Sequence, residues 1–589
     1  MKSPAALLLS CLLLAFLTTV ATPHTAAQVQ VNNANPNNTT QGTVNLNVIV
    51  SGNGFKKGAK AQWFVTGTTN PGGVTVNSTT FNNSQQLTAN ISVAADAVIA
   101  NFDIQVVNTD GRTGKGTELF AVKTKQTTAC PALAPLNPVP LSVACSTAGN
   151  STCLDATFGN AGQVPPGGLV LTNTDGMVAS QSDVDAAQAV LQQKQPDGSA
   201  RLIAIGDTSD PSHVGYPGVA VLRYNQDGTL DTNFGSGGVA KYFPSFSVIT
   251  LTRDGAVDPQ GNVVAVADEG GAAVVVRFTP SGALDATFNS MGAVSISNVK
   301  PTALRIQSDG KILLGGTRVS GKSVVGVVAR LNSNGTIDSA FGSNGFTAIS
   351  SLMLLYALQL ETVNSQQDIV VAGETSTATS FGLVRLTPSG ALDSSFGTSG
   401  GLASANFCGN PSTAFSLLVD PLGNIVAGGT SSVVSGGAPQ FGLTRFTSSG
   451  ILDTTFGNPS NSGLGRTGQT MLDFFGNQNR ITSIQQVLDA NGNETAILVG
   501  GYAYLPTGPT TVNKYLVIAK YHTDGSLDTS FGTNGGASID LGSADNYVLT
   551  PAGSNLLTQA DGRAVIGGTA GFTSGPFTGY NFALARLWP

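Results

Sequence analysis

The chain has 589 residues, of which 41% are hydrophobic and only 11% charged, with 73 glycines and 27 prolines. So few charges, against about 25% in an ordinary soluble protein, exclude a helical bundle or coiled coil, and the hydrophobic share excludes a charged disordered chain. A net charge of -6 leaves no electrostatic footprint for nucleic acid or an anionic membrane, so no nucleic-acid partner is expected.

At the N-terminus Lys2 precedes an apolar run, Ala5 to Ala21, followed by the small residues Thr25-Ala26-Ala27. This is the pattern of a secretory signal over residues 1–27. It predicts an exported chain, secreted or held at the cell surface, with no transmembrane helix after cleavage. Leu8-Leu9-Ser10-Cys11 offers a lipoprotein as the alternative. Cleavage near Ala27 leaves Cys130, Cys145, Cys153 and Cys408. In an exported chain these predict disulfides, with three pairings open and a local bridge among the first three expected. The mature chain keeps two histidines, His213 and His522, and has no Cys-x-x-Cys pair, so neither a metal nor another cofactor is expected.

Residues 28–125 alternate apolar and polar positions between Gly, Asn and Asp turns. Val44-Leu46-Val48-Val50 and Phe102-Ile104-Val106 read as half-buried strands of period two. A series of such short strands in one segment predicts a β-sandwich. The strings "VSGNGFKKGAKAQWF", "LTANISV" and "FDIQVVNTDGR" resemble the IPT/TIG family of immunoglobulin-like domains. That resemblance implies a spacer or interaction module on an exported protein. Residues 126–153, with Pro131, Pro135, Pro138 and Pro140, read as a semi-rigid linker.

From residue 154 onward the chain repeats. L-D-x-x-F-G recurs at Leu154–Gly159, Leu230–Gly235, Leu284–Asn289, Ile337–Gly342, Leu392–Gly397, Leu452–Gly457 and Leu527–Gly532, with Asn289 and Ile337 as deviations. Between copies come a strand ending in a polar turn ("QSDG"), a second ending in small residues ("KILLGGT"), and a third with one basic residue ("VVARLNSNG"). A fourth, variable strand follows each motif. Four strands per unit over residues 154–589 predict a seven-bladed β-propeller. The competing β-solenoid has repeats of about 20–30 residues, roughly half this length.

A basic residue stands eight positions before the motif Asp in six pairs: Arg223 with Asp231, Arg277 with Asp285, Arg330 with Asp338, Arg385 with Asp393, Arg445 with Asp453, and Lys520 with Asp528. Asp155 and Arg586 are left over, and only a ring pairs them. This predicts closure, with the strand after Asp155 completing the blade formed by residues 550–589 at its outer edge. Asp, Phe and Gly of the motif are expected to cap the turn, anchor it on the adjoining blade and adopt positive φ. Sevenfold recurrence makes the motif structural rather than catalytic. Turns such as "NQDGTLD" loosely resemble calcium loops, but most copies have Ser or Thr where a carboxylate is required. The motif, with its D-G-K and G-G companions, resembles the delta-60 repeats of bacterial exported and surface proteins, a resemblance that implies the architecture and no activity.

Loops between the second and third strands are long in four units that a ring would make neighbours. They carry Tyr216, Tyr502, Tyr504, Phe572, Phe577 and Tyr580. These predict a one-sided aromatic patch for an extracellular glycan or a protein loop. No H-E-x-x-H helix or phosphate loop appears. The expectation is therefore a monomeric, non-catalytic binding or adhesion scaffold without catalytic residues. A propeller hydrolase or lyase on an extracellular polymer is the alternative, with Glu269, Glu361 and Glu374 as its carboxylates outside the repeat pattern.

Overall fold

The computed structural model describes residues 28–94, 97–123, 133–141, 144–145, 154–159 and 167–174. From 185 to 588 it describes all but 210–216, 244–248, 322, 364–365, 378–379, 399, 408, 433–436, 459–465, 490, 509–511, 542–545, 548–553 and 575–576. The predicted signal, Cys130, Cys153, Cys408 and Tyr216 lie outside the described residues, and Cys145 is described only by its backbone. The chain divides into two compact units, Met1–Thr127 and Thr128–Pro589. The described residues contain no α-helix, and no helix among them is long and apolar enough to cross a membrane.

In the first unit, Gln30–Asn35, Leu46–Asn53, Gln86–Val93 and Val74–Asn83 form one sheet in that order. Asn38–Thr40, Thr113–Lys123, Ala100–Val107 and Lys60–Val65 form the other. Alternation sets the buried face: in Gln86–Val93 every second residue is buried. Leu87 and Ile91 meet Val48, Ile104 and Trp63 in one core, and the Trp63 ring stands edge-on to Phe120 at 5.9 Å. Val44, read as part of a strand, is 70% exposed and precedes it. Asp103 is buried. Burial alone would raise its carboxyl, but Lys115 at 2.7 Å and the backbone N–H groups of Glu118 and Gly67 hold it down at about 2.

The second unit contains seven mainly antiparallel sheets among the described residues. The first four sheets begin with Ala186–Lys194, Thr250–Val257, Lys300–Ile306 and Leu352–Val363, and the next two with Ser412–Val419 and Asn479–Leu488. Each continues through a second and third strand to the short strand after the motif, which lies at the sheet edge in the first five. The seventh sheet joins Leu556–Thr558, Ala564–Ser574 and Phe577–Leu587 to Leu169–Thr172, which pairs with the last of these across more than 400 residues of chain, with Leu169 opposite Ala585 and Thr172 opposite Phe582. Third strands read as almost uninterrupted apolar runs because both their faces are covered; Gly218–Tyr224 is buried at every position.

Each apolar cluster of this unit is shared by two successive sheets. Ile203 and Val221 of the first sheet meet Val263 and Ala265 of the second. Val565 and Phe582 of the seventh meet Leu202 and Ala220 of the first. The motif Phe always lies in the cluster facing the next sheet, as Phe234 and Phe158 do in these two, and each such ring contributes about 1.5–3 kcal/mol of burial.

The segment read as a linker is more than a spacer. Leu136 N–H donates to Asp473 O at 2.8 Å, and Phe475 N–H donates to Leu136 O at 2.9 Å. Pro140–Leu141 adds a parallel strand to the edge of the sixth sheet, opposite Ser538–Ile539, and Ala144–Cys145 runs beside Leu154–Asp155. The prolines suit an edge, where a missing N–H is tolerated. The segment therefore straps the outer rims of the fifth, sixth and seventh sheets.

Candidate functional site

The repeated motif builds a latch. Its carboxylate meets the basic residue of the preceding third strand at 3.0 Å (Arg223–Asp231), 2.7 Å (Arg277–Asp285), 2.8 Å (Arg330–Asp338), 2.8 Å (Arg385–Asp393), 2.7 Å (Arg445–Asp453) and 3.3 Å (Lys520–Asp528). Asp155 and Arg586, 431 residues apart, meet in the same way at 2.8 Å, each 1% exposed. Burial would raise the Asp155 carboxyl, but Thr157, Arg563 and Arg586 outweigh it and hold it low. The guanidinium lies over the motif Phe, 4.5 Å away for both Arg330–Phe341 and Arg586–Phe158. Its second nitrogen donates to a turn carbonyl of the next sheet, from Arg223 to Pro280 at 2.6 Å and from Arg586 to Gln226. The last motif residue has positive φ, and Asn289, at 48°, stands where the other copies have Gly because Asn also tolerates this region. Gly282 of the next turn is held by contact, since a Cβ there would lie 2.5 Å from Gly235 N. These groups pair with one another, as a structural joint requires.

Chemistry must then come from what does not repeat. Tyr502 and Tyr504, read as loop residues, lie instead on a strand, Glu494–Pro506, opposite Leu516 and Lys514. Aromatic residues extend a hairpin more readily than they form a loop. Two apart on one strand, they share a face, and their rings stack at 5.7 Å. Four residues that sequence reasoning missed extend this pair. Arg480, opposite Tyr502 in register, lies 6.0 Å from its ring and 4.5 Å from that of Phe415. Phe415 packs on Tyr356 at 4.8 Å, and Lys514 Nζ lies 5.9 Å from the Tyr504 ring. The result is a ladder of paired rings and cations across the fourth, fifth and sixth sheets. Burial raises the hydroxyls of Tyr356 and Tyr502, keeping both protonated as donors. The signal that could have found it was positional: Tyr356, Phe415 and Arg480 all fall near the start of a first strand.

Phe572 and Phe577 lie on a paired hairpin, opposite Gly579 and Ser574, and Tyr580 lies opposite Gly571, half-buried. The side chains of Phe572 and Phe577 lie outside the described residues. Glu361 is 2% exposed and bonded to Arg385 at 3.2 Å, so it serves the fourth latch. Glu374 stands at the other end of the same strand pair, opposite Leu354, whereas Glu361 stands opposite Asp368. Seven residues of strand separate them, about 23 Å, and Glu269 belongs to the second sheet. These carboxylates do not form an acid–base pair. One buried acid was not anticipated. Asp207, completely buried, accepts from Thr252 N–H at 2.6 Å and from Gln188 at 3.2 Å, and burial pushes its carboxyl up to about 6. Among the described residues no three His, Cys, Asp or Glu side chains are grouped to hold a metal ion.

Five stretches, 195–234, 307–341, 366–396, 423–456 and 497–531, match a family model described as a domain of unknown function, DUF5122, β-propeller. The chain carries repeats of a β-propeller family. No curated protein matches it. Among solved structures it is similar to Drosophila Semaphorin 1a extracellular domains 1-2, at 11% identity and TM-score 0.32, covering 69% of this chain and 88% of that one. It is also similar to the mannose phosphorylase MPT-4 of Leishmania mexicana, at 9% and 0.25, covering 57% and 82%. Prolyl oligopeptidase B of Galerina marginata follows at 8% and 0.26, covering 66% and 56%. Likenesses this low bear on neither fold detail nor activity.

Proposed function

We propose that the protein is an exported, non-catalytic binding scaffold that holds an extracellular glycan on the ladder formed by Tyr356, Phe415, Arg480, Tyr502, Tyr504 and Lys514. The ladder carries this reading. The half-buried rings of Tyr356, Tyr502 and Tyr504, backed by the buried Phe415, offer an apolar platform to the C–H face of a sugar, and the neighbouring guanidinium, ammonium and phenol groups donate to its hydroxyls. In this reading the seven sheets are the blades of a closed delta-60-type propeller, a rigid mount for the site. The shared clusters and the Asp155–Arg586 latch support closure. The first unit is an IPT/TIG-like, immunoglobulin-type sandwich, supported by its two four-stranded sheets around one core, and it acts as a spacer. Export rests on the charged start and apolar run of residues 1–27, and the mature protein is a monomer. The test is retention of the mature protein on immobilised cell-wall polysaccharides and a glycan array. Tyr504→Ala and Arg480→Ala should each weaken retention about tenfold or more with an unchanged melting temperature. Equal retention by both variants, or binding to a protein alone, would contradict the reading.

A further inference from the structure

The sixth latch differs from the rest. Elsewhere an arginine pairs with the motif Asp and reaches on to the next sheet's turn, as Arg445 does to Thr523 O at 2.6 Å. At the sixth, Lys520 pairs with Asp528 at 3.3 Å, and an ammonium has no second nitrogen to extend further. The seventh sheet also lacks the short continuous turn of its neighbours at this place, because Leu587 there pairs with Leu154 from a distant part of the chain. Between these two sheets lies a cavity of about 270 Å³, lined by Lys520, His522, Asp528, Asp561 and Trp588, with Val487 among its apolar groups. A groove in the equivalent place between the second and third sheets is lined by Asn, Gln, Ser and Thr side chains with Arg277 and Asp309, and has no aromatic residue.

We infer that this seam pocket binds a single neutral pyranose ring. Its charges are already matched: Lys520 by Asp528, and Asp561 by Arg563, whose Nε donates to it at 2.7 Å. An ionic ligand would have to break one of these pairs, whereas hydroxyl groups can donate to the carboxylates and accept from the ammonium with both intact. Trp588 supplies the apolar face, its indole oriented by the Arg563 guanidinium at 5.4 Å. The volume lies just below the range of about 300–1,000 Å³ typical of sites for larger ligands, which suits one ring and not a polymer. None of these residues belongs to the aromatic ladder, so the pocket stands or falls independently of it.

The chain contains two tryptophans, and Trp63 is buried in the first unit. The full chain carrying Trp63→Phe therefore reports on Trp588 alone. It is titrated with the methyl pyranosides of glucose, galactose, mannose and N-acetylglucosamine, with glucuronate as a charged control. The expected result is a saturable change in emission with at least one neutral sugar, weakened about tenfold by Asp561→Ala and unaffected by Tyr504→Ala. No saturable change with any of the four, an equal response to glucuronate, or undiminished binding by Asp561→Ala would overturn the inference. Should Asp561→Ala fail to fold, His522→Ala takes its place.

Discussion

Asp155 shows how one carboxylate can carry a joint. It accepts from Arg586 Nε at 2.8 Å, from Arg563 at 3.0 Å and from Thr157 N–H at 2.9 Å, so removing its charge strands a buried guanidinium. Asp155→Asn is expected to cost about 3–5 kcal/mol, read as a lowered denaturation midpoint of the second unit. Asp453→Asn should cost less, because that pair is 12% exposed and open to water. Asp207 acts in the opposite sense. Its folded pKa of about 6 lies above the ordinary 3.8, so between these values the unfolded chain ionises first. Stability therefore falls as pH rises from about 4 to 6 and levels off above, by about 3 kcal/mol in total. Asp207→Asn should flatten that slope; an unchanged pH dependence of unfolding would refute the assignment.

At the scale of elements, the latches were legible because they repeat: eight-residue spacing of base and acid is visible wherever it recurs. The ladder was not, because its members come from several strands of three sheets and meet only through packing. Tyr502 and Tyr504 were found but assigned to a loop, since a polar Thr-Gly-Pro-Thr-Thr stretch hid the strands running up to Pro506 and on from Val512. The strap was read as a linker for a similar reason: its prolines announce an extended chain but not what it pairs with. Leu136→Asp should release it. Hydrogen exchange should then rise at 473–475 and 536–539 and stay unchanged in the second sheet at 263–269. Uniform exchange across these segments would show that the strap holds nothing.

For the whole molecule, every other feature depends on whether the segment after Asp155 returns to the last strand of its own chain. Closure covers the edge of the last strand with Leu169–Thr172 and shares an apolar cluster between the seventh and first sheets. A chain that stayed open would expose Phe582 and Leu584, both completely buried here, and would aggregate or exchange strands between copies. The most direct measurement places cysteines at Leu171 and Ala583, which face each other in register, and maps disulfides by mass spectrometry of the non-reduced monomer. Closure predicts a 171–583 cross-link within one chain, forming under mild oxidation and without loss of fold. Its absence, or its appearance only between two chains, would contradict the account.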